Sequence, residues 1–197
     1  MKKPISFLGL LSRTVRSPLR FLYRRFRTAT AASLVRHAKR CRDMETAYVW
    51  GGLGAIITLQ DLEQKRSMYP DHYPEEVWQR LTGLCGRGVR GFDCTGLIKN
   101  YLMGGIHGFR YDPEQDRNSE MLLKTAVCKG GMDTLPEEPG ICLYMEGHVG
   151  IYIGNGDVIE ATANPRFGNG VVQTRLSDRQ WSAWFSCPNI RYRRLSC

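Results

Sequence analysis

The stretch Gly91-Phe92-Asp93-Cys94-Thr95-Gly96-Leu97-Ile98 decides how the rest of the chain is interpreted. Apolar residues continue from it at helical spacing (Leu97, Ile98, Tyr101 and Leu102), which predicts a helix of about ten residues beginning at Asp93/Cys94. A thiol at this position faces unpaired backbone N–H groups and the positive end of the helix, and both favour the thiolate form. The alternative is that Cys94, like most cysteines, is a small buried apolar residue.

Helical patterns dominate the chain before this stretch, and strand patterns dominate the chain after it. Short helices are predicted near 58–66, with Thr58 as the cap, near 74–84 and near 117–127. After residue 140, short β-rich runs alternate with Gly, Asn, Asp and Pro, and they lie at 141–144, 149–153, 158–161, 171–174 and 190–192. A helical front followed by an antiparallel meander indicates an α+β fold.

The charge of the chain is concentrated at its start. Residues 1–42 hold 12 of the 28 Lys and Arg residues and none of the 19 Asp and Glu residues. We therefore expect a basic, amphipathic N-terminal arm at 1–42 and a mildly acidic domain at 43–197. This division argues against a domain that wraps nucleic acid, because its cations would then line the folded surface. The arm suits an anionic membrane or wall polymer; the alternative is a solvated tail.

Several other classes of protein are disfavoured by the sequence. No run approaches the roughly 18–20 apolar residues of a membrane-spanning helix, and Arg13 and Arg16 interrupt the start before it forms a typical secretory signal. The seven cysteines include no C-x-x-C pair, so we expect no metal site and several buried thiols. The segment 86–91 matches G-x-G-x-x-G, but no strand precedes it, and a flexible loop is the better interpretation.

A nucleophilic thiol needs a base and a group that orients the base, and the strands offer both. His148 begins one predicted strand, and Glu160 lies in the next among apolar residues, where a carboxylate is costly without a partner. A strict two-residue turn between the strands would place the two side chains on opposite faces. An odd-length loop at 154–156, or a bulge, pairs Gly150 with Glu160 and makes His148 and Glu160 diagonal neighbours on one face.

These segments resemble the NlpC-type papain-like cysteine peptidases. The resemblance rests on Asp93-Cys94-Thr95-Gly96-Leu97-Ile98, on the segments that begin at His148 and Val158, on Tyr48-Val49-Trp50-Gly51-Gly52, and on a Trp181-x-x-Trp184 tail similar to that of clostridial and phage-associated members. It runs from about 44 to 194. It implies a papain-like fold in which the nucleophile begins a helix that packs on an antiparallel sheet.

The resemblance also implies an activity and the residues that carry it. Family members cut peptidoglycan stem peptides, typically between D-γ-glutamate and the diamino acid. Cys94 would be the nucleophile, His148 the base and Glu160 the orienting residue. Tyr48 and Asp93 would bind substrate, and no cofactor or metal is implied. The substrate lies at the cell wall, which leaves the route of export open.

Three departures from the family pattern bear on the substrate. Thr95 stands where the family usually has Ser, which alters substrate contacts, and Glu160 stands where the best-known members have His. An insert at about 53–91 separates the Tyr48 motif from Cys94, and its aromatic residues Tyr69, Tyr73 and Trp78 suggest a wall of the groove. The alternative functions are an amidase or acyltransferase on the same scaffold and a non-catalytic envelope-binding module. The sequence leaves the oligomeric state open.

Overall fold

A computed structural model describes residues 29–195 of the chain. Its five α-helices are α1 Ala31–Arg42, α2 Leu59–Met68, α3 Glu75–Thr82, α4 Cys94–Leu102 and α5 Ser119–Thr125. Its nine strands are β1 Thr46–Tyr48, β2 Leu53–Ile56, β3 Arg90–Phe92, β4 Lys129–Gly131, β5 Cys142–Met145, β6 His148–Gly154, β7 Asp157–Asn164, β8 Gly168–Arg175 and β9 Ala183–Phe185.

The strands form two sheets. The larger has the order β4-β9-β5-β6-β7-β8 and is antiparallel throughout. The smaller has the order β1-β3-β2, with β1 and β3 parallel. The predicted α+β fold is confirmed, and the four predicted helices form close to the expected positions. The strand expected at 190–192 is wrong, since only a single bridge between Arg191 and Thr30 forms there.

Helix α4 packs across the larger sheet and forms the main core with it. Leu97 and Ile98 are buried against residues of β6 and β7 such as Val149 and Ile159. Each such side chain contributes about 1.5–3 kcal/mol when it leaves water. This burial fixes α4 against the strands, and the first residue of α4 is Cys94.

Helix α1 belongs to the same core, although the sequence assigns residues 31–42 to the arm. Thr30 caps α1 by accepting the Ser33 N–H, and Leu34, Ala38 and Cys41 on its inner face are fully buried. The cations of this helix lie on its outer side, which is why charge counting alone assigned it to the arm. The amphipathic pattern from Leu11 to Phe26 lies outside the described residues.

The predicted insert contains β2, α2, α3 and the approach to β3, and it builds a second, smaller core. Leu62, Tyr73 and Leu81 are buried in it against Val49 and Ile57. The insert therefore rests on the segment that leads from β1 to β2, beside the start of α4. No helix within residues 29–195 has the length and apolar character needed to cross a membrane.

Candidate active site

Asp93 follows β3 and caps α4, which places Cys94 in the first helical turn. The Asp93 carboxylate oxygen Oδ1 accepts hydrogen bonds from the Gly96 N–H and, at 3.0 Å, from the Thr95 hydroxyl. Asp93 and Thr95 are both buried. The sequence expects these two residues to touch substrate, whereas their observed contacts are with each other and with the helix.

The turn that follows Tyr48 is in backbone contact with this helix start. Gly52 O accepts the Asp93 N–H at 3.0 Å, and a Cβ atom at Gly96 would lie 1.9 Å from the same oxygen. Only glycine at position 96 permits this approach. In the turn itself, Gly51 has a positive φ of 69°, and a Cβ atom at Gly52 would lie 2.7 Å from Val49 O, so both positions favour glycine. The turn brings Tyr48, which precedes it, near Cys94.

Cys94 Sγ lies against the backbone on both sides of His148. It is 4.0 Å from the Gly147 carbonyl oxygen and lies near the Val149 N–H. Burial, followed by the Asp93 carboxylate, raises the pKa of the Cys94 thiol to about 12, although the N–H groups of Val149 and Thr95 oppose this shift. The sequence expects a thiolate, but in the structure the cost of burying the charge outweighs the stabilisation from the helix terminus, so the thiol is protonated at neutral pH.

His148 and Glu160 meet on one face of the larger sheet. Their Nε2 and Oε2 atoms are 2.6 Å apart. Ile151 pairs with Ile159 and Gly154 pairs with Asp157, so Ile153 is an extra residue and forms a bulge in β6. The bulge adds one residue beside the two-residue turn at 155–156. An odd number of residues therefore separates the paired strand positions, which is the condition for His148 and Glu160 to lie on one face. Because Glu160 occupies Nε2, the other ring nitrogen, Nδ1, is left for a proton from the thiol.

Glu160 is held by an array of donors that the sequence analysis did not identify. Its side chain is 0% exposed. Oε1 accepts the Thr174 hydroxyl at 2.7 Å and the Arg179 Nε–H at 3.1 Å, and Oε2 accepts the Arg179 Nη2–H at 2.8 Å. Burial by itself raises the pKa of the Glu160 carboxyl, but hydrogen bonds from His148, Arg179 and Thr174 outweigh burial and lower this pKa. Glu160 is therefore a carboxylate at neutral pH.

Trp181 covers the other side of the His148 ring. The two rings are nearly parallel, at an interplanar angle of 17° with centroids 5.8 Å apart. A Cβ atom at Gly150 would lie 2.8 Å from the Trp181 indole, so this glycine makes room for the ring. The sequence singled out Trp181 only as part of a tail motif, and nothing in strand periodicity could have paired it with His148.

Comparison with protein families matches residues 45–189 to the NlpC/P60 family. The chain belongs to this family. Among solved structures it is similar to the NlpC/p60 domain of the peptidoglycan hydrolase SagA, at 18% identity and a TM-score of 0.42, over 80% of this chain and 99% of that one. It is also similar to NlpC2 from Trichomonas vaginalis, at 16% identity and a TM-score of 0.45, over 83% of this chain and 47% of that one. Comparison with curated protein sequences gives no match.

Membership of the NlpC/P60 family confirms the resemblance drawn from the sequence.

Tyr48 lies near Cys94 and Asp93, and its backbone N–H donates to Asn169 Oδ1 at 2.8 Å. Burial, followed by the negative charges that Cys94 and Asp93 carry when ionised, raises the pKa of the Tyr48 hydroxyl above its ordinary value. Tyr48 is therefore an O–H donor throughout the neutral range.

The aromatic residues of the insert have different roles. Tyr73 is buried, and its hydroxyl donates a hydrogen bond to the Trp50 carbonyl oxygen at 2.7 Å, which stabilises the turn after Tyr48. Tyr69 lies over Gly51 and remains 40% exposed. Trp78 packs in the smaller core under the Arg66 guanidinium. Of the three, Tyr69 is the one whose side chain is exposed beside the turn.

Two other histidines and the G-x-G-x-x-G segment lie away from Cys94 and His148. His37 packs beside the buried Cys41 with 3.5 Å between Nε2 and Sγ, and His72 stacks on Trp50. The segment 86–91 runs from the turn after α3 into the first residues of β3, with Gly86 and Gly88 at positive φ. Within residues 29–195, no group of three or more His, Cys, Asp or Glu side chains is arranged to hold a metal ion.

Proposed function

We propose that this chain is a cysteine hydrolase that cuts peptidoglycan stem peptides between D-γ-glutamate and the diamino acid. Membership of the NlpC/P60 family supports the substrate class. One observation carries the chemistry: Cys94 begins a helix and lies against the backbone on both sides of His148, whose Nε2 is 2.6 Å from the buried Glu160 carboxylate. A binding module has no need of a thiol, an imidazole and a carboxylate in this order.

The first half of the reaction is acylation of Cys94. Because the thiol is protonated at neutral pH, its proton passes to His148 Nδ1 as Sγ attacks the amide carbonyl carbon. Glu160 stabilises the imidazolium that forms, since the carboxylate already accepts the Nε2–H. The Cys94 N–H and the Tyr48 hydroxyl stabilise the oxyanion. His148 then returns the proton to the leaving amine, and a thioester remains on Cys94.

The second half is hydrolysis of the thioester. His148 takes a proton from water, the hydroxide attacks the acyl carbon, and the thiolate leaves and regains its proton from the imidazolium. We assign recognition of the substrate amine to Asp93 Oδ2, since both hydrogen bonds that Asp93 accepts from the described residues use Oδ1. Thr95 acts by fixing the Asp93 carboxylate. The basic segment before residue 29 would hold the enzyme on an anionic polymer of the envelope.

The test is digestion of purified sacculi by wild type and by Cys94→Ala, with muropeptides identified by mass spectrometry. Cys85→Ala is the matched control, because Cys85 is also a free cysteine and lies in the insert. We expect fragments with a new free amine at the diamino acid from wild type and Cys85→Ala, and none from Cys94→Ala. The same fragments from all three proteins would refute the assignment of Cys94. Fragments released at the sugar–peptide junction would instead establish an amidase.

A further inference from the structure

Arg179 is the cation that neutralises the buried carboxylate of the triad. Its guanidinium contacts both Glu160 oxygens, with Nε 3.1 Å from Oε1 and Nη2 2.8 Å from Oε2. This two-point geometry suits a carboxylate and is stronger than a single neutral hydrogen bond. The hydrogen bonds that tie Arg179 to the site run to Glu160, which in turn pairs with His148, so its contact with the base is through this carboxylate.

The guanidinium is itself fixed in place. Nη2 also donates to the Thr162 hydroxyl at 3.0 Å, and the group lies 4.4 Å from the centre of the Phe167 ring. These contacts come from β7 and from the connection between β7 and β8. Arg179 and Trp181 also line a surface cavity of about 610 Å³, so a shorter side chain at position 179 meets solvent beside it instead of solid core.

We infer that Arg179 is a positioning residue that holds Glu160 ionised and oriented and thereby keeps His148 available as the base for Cys94. The inference rests on the proposed function. It goes beyond it, because the role belongs to a residue outside the three that carry the chemistry. The argument is geometric: an anion with 0% exposure is costly without a cation, and Arg179 is the cation in contact with both of its oxygens.

The charge of Arg179 has a predictable effect on the pH dependence of the site. The charged or titratable groups that face Glu160 are His148 from β6 and Arg179 from the segment after β8, while Thr174 from β8 is neutral. Removing the guanidinium leaves the Glu160–His148 pair more negative, so the pair retains a proton to higher pH. The acid limb of the rate profile must then move to higher pH, whichever partner carries that proton.

Three variants separate charge from structure. Arg179→Gln removes the charge, and Arg179→Lys keeps it but loses the two-point contact. Arg166→Gln is the matched control, because Arg166 also lies over the Phe167 ring, at 5.0 Å, but its ion-pair partner is Asp178. We expect the acid limb to move up by about one pH unit or more in Arg179→Gln, since a charge at this distance shifts a carboxylate by that much. Arg179→Lys and Arg166→Gln should keep the wild-type limb, with a lower plateau in Arg179→Lys.

The variants are compared by two readouts, of which the second does not need the substrate. One is hydrolysis of muropeptides across pH, and the other is the rate of Cys94 alkylation by iodoacetamide across pH, followed by mass spectrometry of the Cys94 peptide. If wild type leaves muropeptides intact, the proposed function fails, while the alkylation profile still tests Arg179. A uniform loss of rate in Arg179→Gln with an unmoved acid limb would show a merely structural role and overturn the inference.

A double variant covers the case in which Arg179→Gln does not fold. Glu160→Gln removes the buried charge, so Glu160→Gln/Arg179→Gln contains no unpaired ion at the site. With the carboxylate gone, the second substitution should move the acid limb of the alkylation profile by much less than Arg179→Gln moves it in the wild-type background. A shift of equal size in both backgrounds would show that Arg179 does not act by holding Glu160 and would refute the assignment.

Discussion

Gly96 is the point at which the turn after Tyr48 and helix α4 meet, so Gly96→Ala tests whether this contact positions Cys94 for the proposed reaction. The added Cβ would lie 1.9 Å from Gly52 O and 3.0 Å from Gly52 C. Both atoms belong to the backbone and cannot rotate away. Since Cβ atoms essentially never approach closer than 3.0 Å, the turn and the helix must separate by about 1 Å.

The expected cost follows from the contacts that this separation breaks. Forcing a methyl group into a packed site costs about 1–3 kcal/mol, and weakening the hydrogen bond from the Asp93 N–H to Gly52 O costs about 1 kcal/mol. Alanine recovers up to about 1 kcal/mol in a helix. We expect a net loss of about 1–3 kcal/mol in the free energy of unfolding. A displacement of 1 Å between Tyr48 and Cys94 lowers the rate about 10²-fold.

Urea unfolding followed by circular dichroism, with muropeptide hydrolysis, measures both effects. Gly83→Ala is the matched control, because Gly83 has φ −63° and its Cβ would lie 3.4 Å from Gln79 O, an ordinary contact. We expect the control to stay within about 0.5 kcal/mol of wild type. If Gly96→Ala keeps both the wild-type unfolding free energy and the wild-type rate, the turn does not position the nucleophile and the reasoning fails.

Two further predictions concern α1 and the segment before it. Burial, followed by Arg40, lowers the pKa of His37 from 6.5 to about 4, so the unfolded chain binds more protons between these values and stability falls as pH drops from 6.5 to 4. Such a pKa shift corresponds to about 3 kcal/mol of unfolding free energy. The urea midpoints at pH 7 and pH 4.5 should therefore differ more in wild type than in His37→Gln. The same difference between the two midpoints in both proteins would contradict the pKa shift. A chain that begins at Ala29 should keep the urea midpoint and the hydrolysis of soluble muropeptides, but it should no longer sediment with sacculi. A chain that begins at Asp43 should fold poorly because it lacks α1. Unchanged sedimentation would show that the basic segment is a solvated tail.

Much of the fold could be predicted because the relevant signals are local. The helix that begins at Cys94 shows in the spacing of its apolar residues. Counting residues around the 154–156 loop left two hairpin registers open, and the bulge at Ile153 decided for the one that joins His148 to Glu160. The strand at β9 was missed because three residues give too short a period to recognise. Helix α1 was assigned to the arm because its exposed cations hide a buried apolar face.

The support of the triad depends on distant contacts. Arg179 reaches Glu160 across 19 residues, and Trp181 stacks on a ring in a different strand. No periodicity in a single sequence relates such positions, because their proximity depends on how β6, β7 and the segment after β8 come together.

The sequence by itself determined the order of the chemical groups: a thiol at a helix start, an imidazole at a strand start and a carboxylate in the next strand. Only the tertiary structure decided their ionisation. Burial and the Asp93 carboxylate keep the Cys94 thiol protonated, and hydrogen bonds from His148, Arg179 and Thr174 keep Glu160 ionised although no part of it is exposed. The physical reason is that the charge state of a group depends on its distance from water and from other charges, and these distances are set by packing.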